Sequence, residues 1–402
     1  MATNDGGQFQ EVRARFGGFG GRYVPEALWA PLEAVSAGYR GIAGTPEFRA
    51  LRGKWLHHRL GRPTPLTALP ILSEKAGGAQ IWAKREDLLA GGSFCATSAL
   101  TQTLLAQAMG KREIYAESAT GDFGVALGTV AAALGIGATV FMRKAALEGE
   151  VINARFMKRL GVEVVPVDGT GRGRSQAMGK ALRCLAQQWK RAAYATSSLA
   201  SPAPYPWIVA RSLEVIGEES VEQAQAEGIE VEYVIAPVGS GSFAAGLFGP
   251  WLTRGGPQLV GVQSGGSDGQ GRTAASLVQG RPGVFLGTRS MVLQDEEGQV
   301  LAPNSQARGL AMPVAGPQHA RWLQQGRVHY VMVDDAEAQE ARQALAHLEG
   351  ILISREAACA LAYALKVART LEPDAHLLVG ISGAGQRELM EEVSVEDEGS
   401  GV

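Results

Sequence analysis

Eight apolar runs with strand character punctuate the chain: IWAKR, REIYAES, ATVFM, VEVVPV, YVIAPV, LVGVQS, HYVMVDD and HLLVGIS. Most are followed by alanine-rich stretches of helical character. Strands that alternate with helices build parallel sheets covered on both faces, so the pattern predicts an α/β fold. Sheets of this kind bind ligands beyond the carboxyl ends of their strands, where a loop leads into a helix. The strand ends are therefore where a site is expected.

One segment tests this reading, because Gly124 to Met142 (GVALGTVAAALGIGATVFM) carries no charge over a length that reaches across a bilayer. The glycine pair after Ala-Ala-Ala-Leu and the β-branched run behind it predict a buried helix followed by a buried strand instead. At the other extreme, the closing EEVSVEDEGSGV is acidic and rich in Gly and Ser, and is expected to fray.

Length and composition narrow the picture further. A chain of 402 residues is long for a single core, so two packed domains are expected. With 38 basic and 40 acidic side chains the net charge is -2, which argues against a nucleic-acid binder. Cys95, Cys184 and Cys359 are too scattered for a disulfide framework or a thiolate metal site. The six histidines show no ligand spacing, so no metal is expected. The first residues, MATNDGGQFQEVRARFGG, lack the apolar core of a signal peptide, and a cytoplasmic location is expected.

Four strand-to-helix junctions carry candidate chemistry. In KREDL through Gly91-Gly92-Ser93-Phe94-Cys95, Ser93 is a plausible N-cap that puts Cys95 in the first turn of a helix, where a thiolate is favoured. An inert, packed cysteine is the plainer alternative. In Glu117-Ser118-Ala119-Thr120-Gly121-Asp122-Phe123-Gly124, the loop can offer N–H groups and the hydroxyls of Ser118 and Thr120 to an anion. Glu117 closes an apolar strand, so it is either a desolvated general acid–base group or a capping carboxylate. Gly239-Ser240-Gly241-Ser242, with Phe243 behind it, has the form of a phosphate cradle, although many such turns hold nothing. Ser382, in Gly380-Ile381-Ser382-Gly383, either bonds a heteroaromatic nitrogen or satisfies its own turn.

The order of longer motifs resembles one family. FGGRYVPEAL, GRPTPL, KREDL, VINARFMKRLGVEVVPV, YPWIVARSLEVIGEE, PGVFLG, LQDEEGQV, LEGI and GISGAG follow one another as in tryptophan synthase β subunits, from about Phe16 to about Glu388. The resemblance implies the fold-type II pyridoxal-phosphate architecture: two three-layer α/β domains with mostly parallel sheets and a cleft between them. Residues 1–60 and 94–210 are expected to form the N-terminal domain, including a mobile subdomain at about 110–196. Residues 61–93 and 211–390 are expected to form the C-terminal domain, with 391–402 as a flexible tail. A homodimer, with an α-subunit-like partner, is also implied.

Against that family the cleft departs in several places. In the register of its histidine and cofactor-carrying lysine stand Phe94 and Cys95, and Arg85 to Gly110 contains no lysine. The carboxylate loop reads Gly121-Asp122-Phe123-Gly124 where the family has Gly-Gln-His-Gly. The phosphate loop has Ser240 for a glycine and Phe243 for asparagine, and the aspartate and tyrosine of another loop have become Ala311 and Met312. That aspartate gates closure, so closure is expected to be lost. Glu117 matches the catalytic glutamate, Glu349 the acid of the Glu-Gly-Ile segment, and Ser382 the serine at the pyridine nitrogen.

These departures lead to the expectation of a cofactor-free cleft, its phosphate loop Gly239 to Ser242 vestigial, and of no ordinary tryptophan synthesis. It would act on a bulky, apolar, aromatic or indole-like molecule in specialised metabolism. Glu117, Asp122 and Cys95 would be its acid–base groups for isomerisation, elimination or cyclisation. Phe94, Ser118, Thr120, Phe123, Phe243, Ala311, Met312, Glu349 and Ser382 would line it. The alternatives are an inactive regulatory or scaffolding partner, and an enzyme that holds pyridoxal phosphate without a covalent bond, the amine coming from the ligand.

Overall fold

The computed structural model describes residues 13–149, 151–168, 174–267 and 272–399. All eight apolar runs form strands. Six strands build one sheet in the order His329–Val333, Gln258–Ser264, Val231–Pro237, His376–Ile381, Gln80–Arg85 and Leu66–Ala68, parallel except for the last edge strand. Its central strand explains the unbroken apolar pattern, since Leu377, Leu378, Val379 and Ile381 are all fully buried between helices on the two faces.

A second sheet is wholly parallel: Glu163–Val167, Gly137–Arg143, Glu113–Glu117 and Ala192–Ala195. The last of these, Ala-Ala-Tyr-Ala, escapes sequence reading because alanine has little strand preference. Also unforeseen is a small antiparallel sheet that joins Arg15–Phe16 and Phe19–Gly20 to Thr288–Val292 and Arg281–Phe285. Two-residue strands have no period to detect, and their partners lie far along the chain.

The uncharged segment folds as expected. Helix Asp122–Leu134 stops at Gly135, whose φ of +65° suits glycine, and strand Gly137–Arg143 follows. Among the described residues no helix is long and apolar enough to cross a membrane. The acidic end does not fray where expected, because helix Gln386–Gly399 runs through it. Its Glu391 accepts from the Ile152 N–H at 3.0 Å and Glu392 pairs with Arg355 at 2.7 Å, contacts that the charge run alone does not announce.

Motifs far apart in sequence meet in one buried charge network under the larger sheet. Lys84 is fully buried and its ammonium lies 2.8 Å from Glu219, which Arg62 also reaches at 2.7 Å, while Thr64 donates to Glu86 at 2.6 Å. GRPTPL, KREDL and the Glu219 end of YPWIVARSLEVIGEE are therefore scaffold. Registration then sets the site: Ile381 pairs with Arg85, and Val379 with Ile235, so three carboxyl ends come level. The Phe94 N–H donates to the Ser382 carbonyl at 3.1 Å and the Ala384 N–H to Gly92 at 2.9 Å, which clamps two of the loops side by side.

Candidate ligand-binding cleft

A cavity of about 760 Å³ opens above these ends, within the range of small-molecule and cofactor sites. It is lined by Gly239 to Phe243, Ser93 to Cys95, the Ser118–Phe123 loop without Gly121, and Ser382 to Ala384. All four junctions singled out from the sequence thus converge on one space.

The glycine turn is shaped by need. Gly241 has φ +88°, and a Cβ there would lie 2.2 Å from His319 Nε2; one on Gly239 would lie 2.5 Å from the Gly309 carbonyl. The turn opens helix Ser242–Arg254, whose unsatisfied N–H groups and dipole suit a phosphate. His319 braces it from below. Its Nε2 lies 2.7 Å from the Gly241 carbonyl, which can only accept, so Nε2 carries the proton and Nδ1 accepts from Tyr330 at 2.8 Å. Burial lowers the His319 pKa to about 4, keeping the ring neutral.

Cys95 begins helix Cys95–Ala108 and is 6% exposed. Ser93 is not the N-cap expected for this helix. The chain enters by a tight turn in which the Ser93 and Phe94 carbonyls take the N–H groups of Ala96 and Thr97, leaving the buried Ser93 hydroxyl without a hydrogen-bond partner. Phe243 is buried against Phe94, ring centroids 5.3 Å apart, and lies so close over Gly380 that a Cβ there would meet its ring at 2.5 Å. It packs into the wall as much as it faces the space. Among the described residues that line the cavity there is no lysine.

The Ser118–Asp122 loop is satisfied from within. Its Gly121 N–H donates to Ser118 Oγ at 3.0 Å and its Asp122 N–H to Thr120 Oγ1 at 3.4 Å. The Asp122 carboxylate accepts from Thr120 at 2.8 Å and, across the cleft, from Arg387 at 2.8 Å. Arg308 likewise crosses to the Gly149 carbonyl at 2.8 Å. Two contacts thus join the cleft walls in this structure without an aspartate at Ala311.

Four of the expected site residues lie elsewhere. Glu117 is fully buried behind the lining, accepting from Thr196 at 2.9 Å and from the Tyr194 hydroxyl. Glu349 caps a distant helix, Pro70–Ala76, by accepting from the Leu72 N–H at 2.8 Å. Met312 packs with Ala200, Val292 and Val314, and neither it nor Ala311 lines the space. In their place the cavity gains Arg308, Glu356, Arg387 and Glu388, which no local motif marks. Burial, then the charge of Asp122, raises the pKa of Glu356, and burial with neighbouring Glu356 pushes Glu388 up to about 9.

The chain belongs to the pyridoxal-phosphate dependent enzyme family, whose profile matches residues 58–383. Among its relatives are tryptophan synthase beta chains: that of Leptothrix cholodnii is 38% identical over 384 residues, 95% of this chain and 90% of the relative. That of Xylella fastidiosa strain M12 is 39% identical over 95% of each. Solved structures share the fold at lower identity. The threonine deaminase from T.th. aligns with a TM-score of 0.64 at 22% identity, covering 85% of this chain and 98% of that one. Entamoeba histolytica cysteine synthase aligns with 0.61 at 17%, covering 81% and 86%.

This membership overturns the expectation of a cofactor-free cleft, since the family is one of pyridoxal-phosphate enzymes. That expectation rested on the missing lysine at Cys95 read together with Phe94, Asp122, Phe123, Phe243, Ala311 and Met312. The residues fit the cofactor's other two ends: a braced anion cradle at Gly239 to Ser242, and Ser382, which is 5% exposed and lines the cavity.

Proposed function

We propose that the cleft holds pyridoxal phosphate without a covalent bond to the chain and acts on an aromatic, indole-like small molecule that brings its own primary amine. The observation that carries this is the cradle: Gly239 and Gly241 admit no side chain, and His319 holds the turn open at the start of a 13-residue helix. In this reading the N–H groups at Gly241 to Phe243 and the Ser242 hydroxyl hold the phosphate, and Ser382 meets the ring nitrogen. When bound, pyridoxal phosphate supplies an electron sink for bonds beside an amine-bearing carbon.

The chain's own residues do the rest. Phe94 and Phe123 give the cavity apolar walls for a ring, and Arg387 and Arg308 bridge the cleft beside it. Cys95, at the start of its helix, is the proton-handling group nearest the place of the family's lysine. Glu117 is a positioning residue that orders Thr196 and Tyr194 behind Ser118. The open cavity, with apolar walls and a few convergent polar groups, favours a ligand-binding role over that of an inactive scaffold. The relatives' designation as beta chains supports assembly with an α-subunit-like chain.

Titrating the protein with pyridoxal phosphate, then reducing with borohydride, tests the proposal. Saturable binding with no cofactor fixed to a peptide that lines the cleft is expected, whatever surface lysines such as Lys144 take up. Absence of saturable binding would sink it.

A further inference from the structure

The start of a helix is an anion site only while its donors are free. Helix Asp122–Leu134 has 13 residues, and the loop before it faces the cavity, yet two of the donors at its start are already engaged. Ser118 Oγ takes the Gly121 N–H and Thr120 Oγ1 takes the Asp122 N–H. An anion of the protein's own stands there: the Asp122 carboxylate receives Thr120, Arg387 at 2.8 Å and Asn153 at 3.4 Å. Arg387 comes from the opposite wall, and its guanidinium reaches this loop, where a ligand's carboxylate would seek a cation. It already holds one.

From this we infer that Asp122 and Arg387 set the specificity of the cleft, rejecting ligands with an amino-acid carboxylate and admitting amines of the same ring that lack it. A ligand carboxylate entering beside the loop would face the Asp122 charge and would have to displace it from Arg387. A neutral or ammonium-bearing group meets no such opposition. The inference rests on the proposed aromatic-amine ligand and narrows it to the decarboxylated class.

The test uses the full chain saturated with 4-deoxypyridoxine phosphate, which resembles the cofactor but has no carbonyl to react. Tryptamine and L-tryptophan, which differ only in the carboxylate, are titrated by calorimetry. Wild type is expected to prefer tryptamine by about tenfold or more. Asp122→Asn should shrink that ratio to about threefold or less by improving L-tryptophan binding, and Arg387→Gln should widen it, because the unpaired Asp122 repels more strongly. The ratio is the readout, so a variant that merely loosens the fold would weaken both ligands together. Equal wild-type affinities, or parallel losses in both variants, would overturn the inference and leave the aromatic-amine reading standing. Binding of neither ligand would overturn both.

Discussion

Gly241→Ala is the sharpest single perturbation of the cradle. At φ +88° an L-residue pays about 1–2 kcal/mol for the left-handed conformation. The added methyl would also stand 2.2 Å from His319 Nε2, and the ring can retreat only by giving up its bond to the Gly241 carbonyl, worth about 1 kcal/mol. Together these give about 2–3 kcal/mol. If the distortion falls on the turn itself, that corresponds to a loss of roughly 30- to 150-fold in pyridoxal phosphate affinity. Fluorescence titration of the cofactor reads the affinity, and urea denaturation reads any general loss of stability. Gly77→Ala is the control: it shares a positive φ of +75°, has nothing within 4 Å of the new Cβ and does not line the cavity. It should lose stability and keep its affinity. An affinity for Gly241→Ala within about twofold of wild type would refute the cradle.

Three further outcomes follow from the buried groups. Lys84→Met leaves Glu219 and Glu86 with one cation fewer in a dry interior, so urea denaturation should show a loss of about 3–5 kcal/mol; an unchanged midpoint would deny the network its scaffold role. Tyr194→Phe removes a donor from fully buried Glu117 and should cost about 1–3 kcal/mol by the same assay, a loss that a solvated Glu117 would not show. Glu388 has a pKa raised by burial from 4.5 to about 9, so the folded state binds its proton more tightly than the unfolded one. Its stabilising contribution is complete below pH 4.5 and is lost as pH rises toward 9. Glu388→Gln should flatten stability over that window, and an unaltered pH profile would count against the raised pKa.

Much of the fold was legible because parallel strands buried on both faces, such as His376–Ile381 and Gln258–Ser264, read as apolar runs, and all eight runs formed strands. What escaped was short or pattern-free: Ala192–Ala195 and the two-residue strands near the N-terminus. The site was legible as four strand-to-helix junctions, since such turns sit at strand ends by construction. Individual side chains were harder to place. Glu117 and Ser118 are neighbours, yet Ser118 lines the cavity and Glu117 lies behind it, because successive residues of a strand leave opposite faces. Glu349 sits on a helix whose direction only tertiary packing decides. Arg387 and Glu388 reach the cavity because the chain's last helix turns back over it, a path no local pattern encodes. The mistaken expectation of a cofactor-free cleft came from weighing a set of substitutions, Cys95 with Phe94, Asp122, Phe123, Phe243, Ala311 and Met312, above a glycine turn whose shape is plain only in three dimensions; two of the set, Ala311 and Met312, do not line the cavity.

The account's central claim is that pyridoxal phosphate is held here without a lysine. Mass spectrometry after borohydride treatment of the cofactor-saturated protein tests it most directly, with Cys95→Lys beside wild type. Wild type should show saturable, dialysable binding and no cofactor on any peptide that lines the cleft, and Cys95→Lys should carry one cofactor fixed to the peptide that holds residue 95. A wild-type chain that takes up no cofactor, or that yields a cofactor-labelled lysine from the cleft, would contradict it.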